Sequence, residues 1–496
     1  MAVDLPTELW LRITHFVSDN DLFRLISVNH LFFDLVTDRR YRQLIIDDDR
    51  PAALVNKITR IENDPMVAAR VKSLCIHPKA VRSACIRSAK GGEKNMIRPA
   101  KHPNWPDVFQ RRSQNHPIEE DVWLADRLLS ALSKLTSIKE YIVDWKRGLE
   151  AERHFCVPLL TAVCGPTLIR DLTSVTLHMT IGQMSDSIFE VTGLDKLQEL
   201  SLNFTCGDLR FGPWEARYAL EKMSTFINHV ALTLQSLSIS SIGHMDFSIL
   251  YTNLTYFPRL HHLALLVPCD PKHLVDPTGF HQFLKAHFKT LQHVHFSPQY
   301  CCHQSALPPD TITTSEWMDQ CFGGGIQLHN LQHLDLGLNI LGSGGKRVML
   351  ATQRFGDIVS SLATLTIIGC VIALDDLALL LGPFSTNAKG GGSAPRKLVL
   401  EVHVLSAKLL DLLADKLPSL ERLDLTYRWV GDSKTGSTSE LETGFVEDMK
   451  GRTYFHWKLW EIVLRCSRQN DDARWPCQQA IIRCIPGLSS GKGARL

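Results

Sequence analysis

No stretch of about 18 apolar residues occurs in this chain, so the sequence calls for no membrane-spanning helix; the best candidate, 371–384, is broken by Asp375 and Asp376. Met1 to Leu11 holds Asp4 and Glu8 but no lysine or arginine, and no apolar core follows, so no secretory leader is expected. The chain has no C-x-x-C pair, and its 13 cysteines are scattered. That pattern argues against a disulfide framework or a zinc ribbon, and for reduced thiols in the cytosol or nucleus. The N-x-S/T sequons at Asn203 and Asn253 are then chance matches. Excess charge is also missing. A net charge of +2 over 496 residues gives no electrostatic reason to expect nucleic acid as a partner.

Catalytic signatures fail on context. Gly487-Leu488-Ser489-Ser490-Gly491 fits G-x-S-x-G but lies in a polar tail, not between a strand and a helix. Gly344-Gly345-Lys346 lacks the first glycine of a P-loop and is followed by Arg347. Cys301-Cys302-His303 places two cysteines side by side, a poor geometry for one tetrahedral zinc. No catalytic residue, metal or cofactor is assigned.

What the chain does have is hydrophobic residues, 44% of the total, in two kinds of order. The first lies at the N-terminus. Leu5, Leu9, Ile13 and Phe16 recur at steps of three and four and share one helical face, with Pro6 suited to a first turn. Ser18-Asp19-Asn20 is a polar break with capping chemistry. Leu22, Leu25, Ile26 and Val28 form a second apolar face, and Phe32, Leu35 and Val36 a third. By periodicity alone this is a small helical cap.

The second order is a template, L-x-x-L-x-L. Its cleanest copy runs from Leu331 through Leu334, Leu336 and Asn339 to Leu341, and a second from Leu362 through Leu365, Ile367 and Cys370 to Ile372. Looser copies begin at Val71, Ile138, Leu172, Leu197, Leu234, Leu260, Leu291, Leu420 and Leu459; a truncated one covers Leu398 and Leu400. Start-to-start intervals run from 25 residues (172 to 197) to 40 (291 to 331), apart from 67 between Val71 and Ile138, where an insertion is read. The added length holds helical patterns at 218–230, 280–288 and 409–417, the last closed by Pro418. The reading is strand then helix, repeated. Such a coil cannot bury its own leucines, so neighbours must stack.

The ordered set Leu5-Pro6, Leu9, Asp21-Leu22, Leu25, Val28, Phe32, Leu35 resembles the F-box family, with Phe32 where that family often has tryptophan and Asn29-His30 where it often has a basic pair. The resemblance covers the first forty or so residues. It implies a three-helix module that docks a protein on the Skp-type adaptor of an SCF ubiquitin ligase, and through it on a cullin. Leu5, Pro6, Leu9, Ile13, Leu22, Leu25, Val28 and Phe32 would divide between that interface and the module's own core.

The expected fold is α/β. A helical module (1–50) precedes a curved leucine-rich-repeat solenoid (65–465) with parallel strands concave and helices convex. An insertion falls near 88–120, a cap at 466–488 and a disordered tail at 489–496. The expected role is a substrate receptor with an unknown target protein. The alternatives are a scaffold outside ubiquitination and a ligand-sensing repeat receptor; against the latter, no dense basic cluster stands on the predicted strands.

The residues between template leucines would line the concave face. His262, His293 and His333 take the same slot in successive copies, and His295 shares the face of His293. Arg422 and Asp424 occupy the same face further on. An imidazole stripe suits an acidic partner below pH about 6.5, or a metal; ordinary polar residues on a solvated strand face give the same pattern.

Overall fold

The computed structural model describes residues 6–14, 16–28, 30–90, 119–145, 171–180, 193–204, 213–241, 245–267, 273–296, 320–321, 328, 330–337, 362–372, 374–384, 394–431, 438–466 and 475–489. They group into two compact units, Met1–Arg210 and Phe211–Leu496. Each is α/β and built on parallel strands taken in chain order.

The first unit opens with three helices, α1 (Thr7–Thr14), α2 (Asp19–Arg24) and α3 (His30–Tyr41). Ser18 caps α2 by accepting from the Asp21 N–H. Arg39 ties the three together, donating to Asp19 Oδ1 at 2.7 Å and to the Thr14 carbonyl at 3.0 Å. The Trp10 ring meets Phe32 edge-on at 5.2 Å.

Strands β1 (Gln43–Ile46), β2 (Ser73–Ile76), β3 (Glu140–Asp144), β4 (Ser174–Met179) and β5 (Glu199–Phe204) follow, each parallel to the next. Helices α4 (Pro51–Asn63), α5 (Pro65–Arg70), α6 (Pro78–Lys90) and α7 (Glu119–Leu132) lie between them. The strands thus begin at Gln43, ahead of residue 65. Tyr41-Arg42-Gln43-Leu44-Ile45-Ile46 is a template copy with tyrosine in the first slot, so the last residue of α3 also opens the array. Arg70, 14% exposed, fastens α3 to the array through Asp34 (2.7 Å) and Asp38 (3.2 Å), and Lys72 adds a 2.9 Å contact to Asp38.

The second unit carries β6 (Ser236–Ser241), β7 (His262–Leu266), β8 (His293–Phe296), β9 (His333–Gly337), β10 (Thr364–Ile372), β11 (Lys397–Leu405), β12 (Arg422–Val430) and β13 (Glu461–Cys466), again parallel and in order. Its helices are α8 (Pro213–His229), α9 (Ser248–Asn253), α10 (Thr278–Ala286), α11 (Leu374–Leu381), α12 (Ala407–Lys416), α13 (Thr438–Met449), α14 (Trp475–Cys484) and α15 (Pro486–Ser489). Helices α8, α10 and α12 fall on the three periodic stretches read from the sequence. Ser406 caps α12, and the helix stops two residues before Pro418.

The template explains the strands directly. Strands β2–β10, β12 and β13 each start two residues after the first template position. Among the described residues the L-x-x-L-x-L side chains of β2–β13 are buried, from Leu74 and Ile76 to Leu423 and Leu425. Each contributes about 1.5–3 kcal/mol of apolar burial. In the truncated copy the first slot is Pro395, also buried. Coils are registered by a repeated bond pair: the carbonyl before one strand accepts the two N–H groups that open the next. Gln292 O takes Gln332 N (2.8 Å) and His333 N (3.0 Å); Arg396 O takes Glu421 N (2.8 Å) and Arg422 N (2.9 Å). Both lone pairs of that carbonyl are used, so a slipped register would orphan two donors.

The expected loops at 298–314 and 342–346, the segment 91–118 of the insertion and the tail beyond 489 lie outside the described residues, as do 385–393 and 432–437. Gly487 and Leu488 belong to the packed end of the chain, Leu488 being 3% exposed.

Candidate functional site

Alternation along each strand turns the template residues to the core and the residues between them to the other face. Parallel pairing then decides which of these become neighbours. His262 pairs with His293, His293 with His333, His333 with Thr364, Thr364 with Lys397, Lys397 with Arg422, and Arg422 with Glu461. The three histidines expected to align do form one row. His293 and His333 stack at 4.3 Å with planes 7° apart; His262 meets His293 edge-on at 5.9 Å. Ser236 Oγ lies 2.9 Å from His262 Nδ1. His295 stands in the next row, where it pairs with Asp335, its Nδ1 3.6 Å from the carboxylate. Asp424 is in that second row as well, opposite Val399 and Val463.

The His293 imidazole is held below its ordinary pKa. Burial is the largest cause; His333, His262 and His261 add repulsion, against a smaller pull from Asp335. Stacked and edge-on rings do not converge on a point, and among the described residues no group of three or more His, Cys, Asp or Glu side chains is placed to hold a metal ion.

Beside His333 the face opens into a groove of about 490 Å³, lined by His333, Asp335, Thr364, Thr366, Arg396, Lys397, Glu421 and Arg422. Of these, His333 and Arg422 are expected from the sequence. The neighbouring Arg396 and Lys397 are not, because they sit in the truncated copy, whose opening Pro395 hides the slot. With proline allowed as the first residue, Lys397 falls in the slot of Arg422 and Arg396 in that of Glu421. Lys397 and Arg422 thus stand side by side on β11 and β12, with Arg396 just ahead of β11 and with Glu421 and Glu461 among them. Arg396 lies 3.8 Å from Glu421, and Arg422 pairs with Glu461 at 3.0 Å while covering the Trp460 ring at 4.6 Å.

The N-terminal residues divide cleanly. Leu22 and Phe32 are core, at 1% and 3% exposure; Leu25 is half-buried. Pro6, Leu9, Ile13 and Val28 are exposed, and so are Leu11, Phe16, Phe23 and Phe33. Leu5 lies outside the described residues. Cys301, Cys302 and His303 do too, as do Gly344, Gly345 and Lys346.

Among the described residues no helix is long and apolar enough to cross a membrane. No known family model matches the chain, and no curated protein matches it.

Proposed function

We propose that this chain is the substrate-recognition subunit of an SCF-type E3 ubiquitin ligase. Helices α1–α3 bind a Skp-type adaptor, and through it a cullin; the polar strand face holds a target protein. The observation that carries the reading is the uncovered apolar surface of the first helices. Leu9, Ile13, Phe16, Phe23, Val28 and Phe33 remain between 41% and 91% exposed while Leu22 and Phe32 fill the small core. A segment this short that leaves so many large apolar side chains in water is suited to a partner that covers them. Catalysis is then positional. The receptor raises the local concentration of its target beside a ubiquitin-loaded enzyme on other subunits, and no residue of this chain takes part in bond making.

The division between core and surface sets the test. The full chain is co-purified with the adaptor and compared with a Leu9→Ala, Val28→Ala double variant. Both side chains are exposed, so folding is retained, and adaptor affinity falls roughly tenfold to several-hundredfold. Leu22→Ala serves as the fold control. That residue is 1% exposed, and its truncation leaves a cavity costing about 2–5 kcal/mol, so lost binding there reports on folding. Unchanged adaptor binding by the double variant, or no complex with the native chain, rejects the proposal.

A further inference from the structure

The charges on the strand face of the second unit are unevenly placed. Asp335 faces His295 at 3.6 Å, Glu421 faces Arg396 at 3.8 Å, Glu461 pairs with Arg422 at 3.0 Å, Glu401 faces Arg428 at 3.8 Å, and Asp424 pairs with Arg465 at 2.9 Å. Glu401, Asp424 and Glu461 on the described strands of this face, and Glu421 beside them, each have an arginine of their own, while Asp335 has the His295 imidazole. Lys397 makes no ion pair among the described residues, and it stands mid-groove between the Thr364 and Arg422 registers. The imidazoles of His262, His293 and His333 continue the same row away from the groove. The groove lining itself holds three cations, Arg396, Lys397 and Arg422, against two carboxylates, Asp335 and Glu421, so at neutral pH it carries a surplus of one positive charge, with imidazoles beside it that can add to it.

We propose that this groove receives an acidic segment of a partner protein, with carboxylates set against Lys397, Thr364 and the outer edges of Arg396 and Arg422, and with the histidine row extending the contact as pH falls. The inference rests on the strand face being the target-binding surface. It adds the chemistry of the target, carboxylate-rich and extended along the row. The 490 Å³ opening admits one or two side chains at a time, which suits a strand-like segment crossing the sheet.

The pH dependence has a definite sign. Glutamate carboxylates stay ionised at pH 5.5, well above their ordinary pKa of about 4.3. The imidazoles gain charge over the same range, so binding tightens on acidification. His293 faces His262 and His261 from the β7 side, and His333 and Asp335 from β9; His295 follows it on its own strand. Burial and these neighbours delay its protonation to lower pH.

The experiment uses the full chain and a fluorescein-labelled peptide of alternating glutamate and glycine, read by fluorescence anisotropy. A lysine–glycine peptide and a phosphoserine–glycine peptide run beside it. Lys397→Glu is expected to weaken the glutamate peptide about tenfold, and Lys397→Gln about threefold, as for a partly exposed charge at a binding edge. Lowering pH from about 7.5 to about 5.5 is expected to tighten native binding about threefold, and His293→Gln with His333→Gln abolishes that gain. Urea midpoints confirm that the variants fold.

Equal binding of glutamate and lysine peptides, indifference to Lys397→Glu, or binding of the phosphoserine peptide alone overturns the proposal. Adaptor docking is assayed separately. If the Leu9, Val28 test fails and this one succeeds, the groove stands without the ligase. If this one fails alone, the receptor reading stands without an acidic target.

Discussion

Replacing His287 by phenylalanine tests how the second unit's core handles a buried imidazole. His287 ends α10 and is 0% exposed. Its Nδ1–H donates to the Phe283 carbonyl at 2.7 Å, and its Nε2 accepts the Phe257 N–H at 2.9 Å. Two opposed demands of this kind are met by one neutral tautomer. The ring packs on Phe283 at 4.3 Å, on Tyr256 at 5.2 Å and on Phe257 at 5.6 Å. His287→Phe preserves most of that packing. The Phe283 carbonyl keeps a second donor, the His287 backbone N–H at 3.2 Å. The Phe257 N–H keeps none, in a residue that is itself 0% exposed. One orphaned buried donor costs about 1–3 kcal/mol, and the larger ring adds a little strain. The expected loss is about 2 kcal/mol, or a urea midpoint lower by roughly 0.5–1 M.

The pH arm sharpens that test. Burial holds the His287 imidazole below its ordinary pKa, with the Phe283 carbonyl opposing more weakly. The unfolded chain therefore binds a proton more readily than the folded one. The native interaction contributes fully above pH about 6.5 and loses stability as pH falls from there toward the folded pKa. The variant lacks this group, so the gap between native and variant midpoints narrows from pH about 7.5 to about 5.5. A variant as stable as the native chain, or a gap that stays constant with pH, refutes the argument.

Two further substitutions test other contacts of the second unit. Gly279→Ala would set a Cβ 2.6 Å from the Thr252 backbone nitrogen and 2.8 Å from its Cα, where α10 crosses α9; thermal unfolding should report a destabilisation of about 1–3 kcal/mol, and a neutral result would mean the helices separate freely. The Tyr454 hydroxyl donates to Asp411 Oδ1 at 2.7 Å, and burial beside that carboxylate pushes the phenol well above its usual range; Tyr454→Phe should cost about 1 kcal/mol in a urea titration, and no loss would mean the bond has no net worth.

The secondary structure was legible where one physical demand dominates. A parallel strand that buries every second side chain needs apolar residues at fixed positions, so the spacing of Leu331, Leu334 and Leu336 places β9 without any view of its neighbours. Where the first slot departs from that rule, as with Tyr41 and Pro395, the copy was overlooked or cut short. The candidate site was legible in part for the same reason. The histidines share a slot in three successive copies, and slot identity becomes adjacency once registers match. Arg396 and Lys397 lacked a slot to be counted in.

By itself, then, the sequence determined which residues enter the core of each coil, because burial of leucine is a local requirement repeated at a known period. It also determined the strand-then-helix order and the stacking that order demands. Only the tertiary structure decided that Leu22 and Phe32 are core while Leu9, Ile13 and Val28 stay in water, since three short helices can pack an apolar set in more than one way. The same holds for the face. His333, Lys397 and Arg422 are far apart in the chain and polar in any register. They become one groove because backbone N–H groups of each coil bind the carbonyl of the one before it, and those bonds carry no trace in the side chains they align.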